Sequence, residues 1–133
     1  MRDQAVYLNG VFESVLEEIV EAQSQHPYQV LFMQPHSPYP IVYLRDNPPS
    51  PGDPVRLYAS ITSDLQHVRY TADIVSWRDK SQIPHGSDLR KSIEKTLDEY
   101  QRGEGGLYNL PEDGFSCNLL YVAHVKRLES PFK

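Results

Sequence analysis

Cysteine is nearly absent. The 133-residue chain has one, Cys117, which excludes an intrachain disulfide framework and any cysteine-rich zinc site. Long apolar runs are absent as well. None approaches the ~20 residues of a membrane span, and Met1-Arg2-Asp3-Gln4-Ala5-Val6 lacks the apolar stretch of a secretory signal. Positive charge is also in short supply. Thirteen Lys and Arg against eighteen Asp and Glu leave a net charge of −5. Binding duplex DNA by counterion release needs several cations on one face, so a broad electrostatic binder is excluded. A small basic pocket is not. These absences lead us to expect a soluble, cytoplasmic protein with no membrane partner.

What is present describes a folded chain. Apolar residues make up 39% and there are nine Tyr, four Phe and one Trp, too aromatic a composition for disorder. The length fits a single domain over residues 1–133. Charge is uneven along it. Residues 1–66 hold three Lys or Arg against eight Asp or Glu, and residues 67–133 hold ten of each. Glu13, Glu17, Glu18 and Glu21 belong to the solvated face of a predicted helix.

Periodicity gives the elements. Ala5–Leu8 reads as a strand, and Asn9 as the N-cap of a helix over 10–23. In that helix Val11, Phe12, Val15, Leu16, Ile19 and Val20 form one apolar stripe. Tyr28–Met33 reads as a strand. Seven of the eleven prolines fall in residues 35–54, which predicts a stiff surface loop there, irregular over 45–54 and interrupted by a short strand at Ile41–Leu44. Val55–Ser60 and Val68–Trp77 are strands. Ser87-Asp88 caps a second helix over 88–101, carried by Leu89, Ile93, Leu97 and Tyr100, and Asn118–Leu128 is the last strand. On that strand alternation groups Leu120, Val122, His124 and Lys126 on one face, and Leu119, Tyr121, Ala123, Val125 and Arg127 on the other. The expected order is β-α-β-β-β-β-α-β. This is an α+β fold, a mostly antiparallel sheet or small pseudobarrel with two packed helices.

Gly52-Asp53-Pro54-Val55-Arg56-Leu57-Tyr58-Ala59-Ser60, followed by the strand Arg69-Tyr70-Thr71-Ala72-Asp73-Ile74-Val75-Ser76-Trp77, resembles the PUA-like superfamily with its ASCH, EVE and YTH branches. A Gly-Asp turn leads into an apolar strand that ends on a small polar residue. The strand and helix within Val6–Val20 sit where such domains place their first pair. Where EVE domains open on Trp-Leu-x-Lys, this chain has Val6-Tyr7-Leu8-Asn9. The resemblance implies a pseudobarrel that binds RNA or a modified base, single-stranded or flipped from a duplex, and that is not by default an enzyme.

The residues suggest where such a ligand would sit. Trp77, the sole tryptophan, offers a stacking face. Tyr58, Ser60 and Tyr70 would lie near it if the two strands pair, and Arg56 and Arg69 would meet phosphate. Alternation puts Arg56, Tyr58 and Ser60 on one face and Tyr70, Ala72 and Ile74 in the core. Trp77 is then expected at an outer rim in a pocket shared with Tyr58. The competing reading of Trp77 is a core anchor between helix and sheet.

Other constellations carry less. His26, His36, His67, His85 and His124 show no metal-ligand spacing. Cys117, His124 and Asp113 can be drawn as a thiol triad only by nearness in sequence. Gly103-Glu104-Gly105-Gly106 follows a helix, whereas phosphate cradles precede one. Arg102 and Tyr108 could line a groove beside it. No Gly-x-Ser-x-Gly elbow is present. We expect no catalytic residue, no metal and no cofactor. The alternative function is a protein-interaction domain acting through His36-Ser37-Pro38-Tyr39-Pro40, with a second copy of the chain as one partner. A small hydrolase is a third.

Overall fold

The computed structural model describes residues 5–27, 29–33, 39–78, 86–101 and 119–132. The elements run β1 (Ala5–Val11), α1 (Glu13–Gln25), β2 (Leu31–Met33), α2 (Tyr39–Asp46), β3 (Val55–Ile61), β4 (Val68–Arg78), α3 (Asp88–Tyr100) and β5 (Leu119–Phe132). The fold is α+β. Its five strands form one mixed, curled half-barrel sheet in the order β1-β3-β4-β5-β2. β1 runs parallel to β3, and the other three pairings are antiparallel. His36–Pro38, Lys80, His85, Arg102, residues 103–106, Tyr108, Asp113 and Cys117 lie outside the described residues.

Three helices pack on the sheet, not two. The β-branched run at Ile41–Leu44, expected as a strand, lies in α2. Pro40 sits in the first turn, where a missing N–H costs no helical bond. Asn47 closes the other end, its backbone N–H and its side-chain amide both donating to the Tyr43 carbonyl. Helical geometry puts Leu44 fully into the core and leaves Val42 exposed. Burial of one leucine thus outweighs a local strand preference worth at most ~1 kcal/mol.

The first helix also begins later than the sequence suggests. Asn9 is no N-cap; it remains in β1, which slips register between Leu8 and Val11 and continues. Gly10 makes the slip possible. It has φ +76, and a Cβ there would stand 3.3 Å from the Leu65 side chain. Phe12 takes the N-cap position with no side-chain hydrogen bond.

The main core lies between one sheet face and α1. Val15, Leu16, Ile19 and Ala22 from the helix meet Leu57, Ala59, Tyr70, Ala72, Ile74, Leu120 and Val122. The stripe read from sequence is this face, save that Phe12 is about half exposed. A second cluster lies on the opposite face at the β5–β2 end of the sheet. There Phe32, Leu119 and Tyr121 receive Ile93, Leu97 and Leu89 of α3. Ser87 caps α3 as expected, its Oγ accepting from Arg90 N–H. The helices therefore leave the second face of β1, β3 and the adjoining half of β4 uncovered by any described helix.

Two glutamines complete the backbone pairing. Gln101 Oε1 accepts from Phe32 N–H at 2.9 Å and its Nε2 donates to Phe32 C=O at 2.8 Å. That amide acts as a one-residue strand on the free edge of β2. Gln23 does the same at Val125, accepting from its N–H at 2.8 Å and donating to its C=O at 3.0 Å.

Candidate ligand-binding face

The uncovered face is a grid set by strand register. Tyr7 pairs with Tyr58, Tyr58 with Thr71, and Thr71 with Lys126. These four form one row across β1, β3, β4 and β5. The tyrosine rings stack with centroids 5.3 Å apart and planes 24° from parallel. Tyr7 is 65% exposed. A row toward the start of β3 holds Ala5, Arg56, Asp73 and Ala123. On the other side lie Asn9, Ser60 and Arg69. The aromatic pair thus has an arginine on each side of it along the sheet and small residues at the corners.

Both arginines hold a carboxylate. Arg56 Nε lies 3.4 Å from Asp73 Oδ1. Arg69 donates through Nε and Nη2 to Asp64 Oδ2 at 3.0 and 2.7 Å, and His67 Nδ1 lies 3.0 Å from the same carboxylate. Hydrogen bonds from His67 first and Arg69 second draw the Asp64 carboxyl down to about 2.

β5 carries a distortion at this face. Between the pairs Thr71–Lys126 and Asp73–Ala123 it has one residue more than β4. His124 takes up the excess with φ +53, the one described non-glycine residue in left-handed conformation. From one side Gln23 takes the backbone groups of Val125 that the bulge frees. From the other, Asp73 Oδ2 meets His124 Nδ1 at 2.9 Å. A strained residue persists when its surroundings over-determine it, and here two elements do so. The bulge also corrects the expected alternation of β5. Val125 and Arg127 face the core side with Leu120 and Val122, and Lys126 faces outward with Tyr121 and Ala123.

The expected pocket of Tyr58, Ser60, Tyr70 and Trp77 is not assembled. β4 slips against β5 between Ile74 and Ser76. One extra residue reverses every later side chain, so Trp77 pairs with Leu120 and packs half-buried on the α1-side core. It is a core anchor. It also lies six residues along β4 from Thr71, the partner of Tyr58, which is about 20 Å of strand. Tyr70 is buried in the core as its parity predicts, and its hydroxyl donates to Glu17 Oε1 at 2.7 Å. Burial first, then the Glu17 carboxylate, holds its phenol well above the ordinary value. Ser60 is on the Tyr58 face but 4% exposed. It accepts from Gly10 N–H and donates to Asn9 Oδ1, tying β3 to the β1 slip. Of the expected ligand residues, Tyr58, Arg56 and Arg69 share an accessible face.

Sequence reasoning missed Tyr7, His124 and Lys126 as members of that face. Tyr7 had a signal, since it alternates with the buried Val6 and Leu8. His124 had none, because only the bulge turns it toward Asp73.

A concavity of about 280 Å³ opens between α1 and α3. Glu18, Glu21, Gln25, His26, Glu99 and Tyr100 line it, an acidic wall that repels phosphate. Tyr100 stacks edge-on to His26, and desolvation followed by Glu99 raises its phenol. Among the described residues no group of three or more His, Cys, Asp and Glu is placed to hold a metal ion. Among them, too, no helix is long and apolar enough to cross a membrane. Comparisons with protein-family models, with curated proteins and with solved structures found no match.

Proposed function

We propose that the chain is a noncatalytic reader of an unpaired base or short single strand of RNA, or of a modified nucleobase, and that the Tyr7–Tyr58 face is where it binds. The observation that carries this reading is the exposed tyrosine stack in register with Lys126. Base-on-aromatic stacking contributes about 1–3 kcal/mol per base and suits any sequence. Arg56, Arg69 and Lys126 surround the stack, so a sugar-phosphate chain crossing the sheet meets cations on either side of its bases. No described helix covers this face, which favours a strand laid across strands over a small molecule enclosed in a cavity. The half-barrel with its Gly52–Ser60 motif also supports a PUA-like assignment. The binding surface we propose is the sheet face, in place of the Trp77 rim.

Fluorescence anisotropy of end-labelled eight-nucleotide RNA, single-stranded DNA, their duplexes and modified-base oligomers tests the reading at low salt, where weak charged contacts are most visible. We expect micromolar binding of single strands and a loss of about tenfold or more on Tyr7→Ala with Tyr58→Ala, as the stacking term implies. Binding that ignores both substitutions, or no binding at high micromolar protein, overturns it.

A further inference from the structure

We infer that the Arg56–Asp73–His124 corner is the subsite for the ligand's phosphodiester, receptive when His124 is protonated and closed when it is not. The inference rests on the base-binding reading and adds a ligand group and a control to it.

The argument begins at the Asp73 carboxylate. An ionised carboxylate only accepts, so the 2.9 Å contact to His124 Nδ1 fixes the proton on that nitrogen. In the neutral ring Nε2 is then a bare lone pair. That ring is 77% exposed on the open face. A phosphodiester offers only acceptor oxygens and negative charge, so it is repelled by the lone pair and held by the N–H that protonation creates. The charge count of the corner follows the same event. Arg56 from β3 and Asp73 from β4 balance, and neutral His124 from β5 adds nothing. Protonated His124 makes the corner net positive, with Lys126 of β5 one row away. The β1 side contributes Ala5 and Tyr7, which bring no charge, and no described helix residue faces the cluster. Arg56 stands two residues before Tyr58, about 7 Å along the strand, the distance from a stacked base to a phosphate beside it. The left-handed backbone at His124 is what aims the ring at this corner, and Gln23 holds that backbone from behind.

The test uses an RNA tetranucleotide without terminal phosphates, whose diester charge stays constant while a phosphomonoester would titrate near pH 6. Its uncharged methylphosphonate analogue is the second probe. Binding is measured between about pH 5.5 and 8, where imidazoles change charge. For the native chain we expect the tetranucleotide to bind roughly five- to tenfold tighter at the acid end, the effect of one added charge at contact distance in a wet site. The analogue should show no such gain. His124→Asn keeps a residue that tolerates left-handed backbone and should flatten the profile. His26→Asn, in the α1–α3 groove away from this face, should leave it intact. Arg56→Gln, at an exposed strand position, should weaken the tetranucleotide and spare the analogue. Binding that persists but does not vary with pH, a profile unchanged by His124→Asn, or an analogue that follows pH as the tetranucleotide does overturns the subsite while the base-binding reading stands. No binding of either probe at any pH overturns both.

Discussion

At the scale of single residues, the site depends on how a few polar side chains replace missing backbone bonds. Gln23 satisfies both the N–H and the C=O of Val125, next to the left-handed His124. Gln23→Ala would leave two partly buried backbone groups without that amide. We expect a stability loss of about 1–3 kcal/mol in chemical denaturation. The same variant should also weaken ligand binding, because the His124 ring is positioned through that backbone. A variant as stable as the native chain would show that the bulge holds without its clamp. Tyr70 makes a parallel case in the core. Tyr70→Phe removes a bond to the Glu17 carboxylate and should cost about 1.5–3 kcal/mol near neutral pH. The raised phenol gives a sign as well. Stability held by neutral Tyr70 is complete below the unfolded-state value near 10 and falls as pH rises beyond it, since the unfolded chain then ionises first. Tyr70→Phe should therefore narrow the gap to the native chain as the medium becomes alkaline, which thermal melts from neutral to alkaline pH would record.

At the scale of elements, legibility follows periodicity. The α1 and α3 stripes, the Ser87 cap and the β3–β4 pair were readable because apolar spacing and cap chemistry are local properties. Leu16, at the centre of the α1 stripe, is fully buried. Leu16→Ala should cost about 2–5 kcal/mol through lost transfer energy and a cavity, and a measured loss below about 1 kcal/mol would contradict this packing. The misreadings share one cause. α2 looked like a strand because Ile and Val dominate its centre, and only the core around Leu44 selects the helix. Trp77 and the far half of β5 were assigned to wrong faces because a bulge leaves no mark in alternation. The candidate site was legible by halves for the same reason. Arg56 and Tyr58 lie where β3 pairs with β4 without a slip, and Arg69 continues that alternation, whereas His124 is itself a slip. Gln101 was invisible as well, since its role at the β2 edge exists only after α3 has docked.

At the scale of the whole molecule, charge distribution separates the α1–α3 groove from the open sheet face. The α1–α3 groove is walled by Glu18, Glu21 and Glu99, and the open sheet face holds Arg56, Arg69 and Lys126. On the proposed reading a chain of net charge −5 meets a polyanion at that face, where few cations can take part. Counterion release from single strands scales at about −0.7 per phosphate neutralised. With two to three contacts, log K against log salt should slope at roughly −1.5 to −2, well short of the steep dependence of basic nucleic-acid binders. Lengthening the oligomer beyond the span of the sheet should then leave the slope unchanged. Four strands at about 4.8 Å spacing give a row of about 14 Å, room for only two or three stacked nucleotides. Anisotropy titrations with four-, eight- and sixteen-nucleotide RNA at several salt concentrations would separate the cases. A slope that steepens with length would mean that the chain binds RNA through cations away from this face, and the tyrosine row would then lose its place as the site.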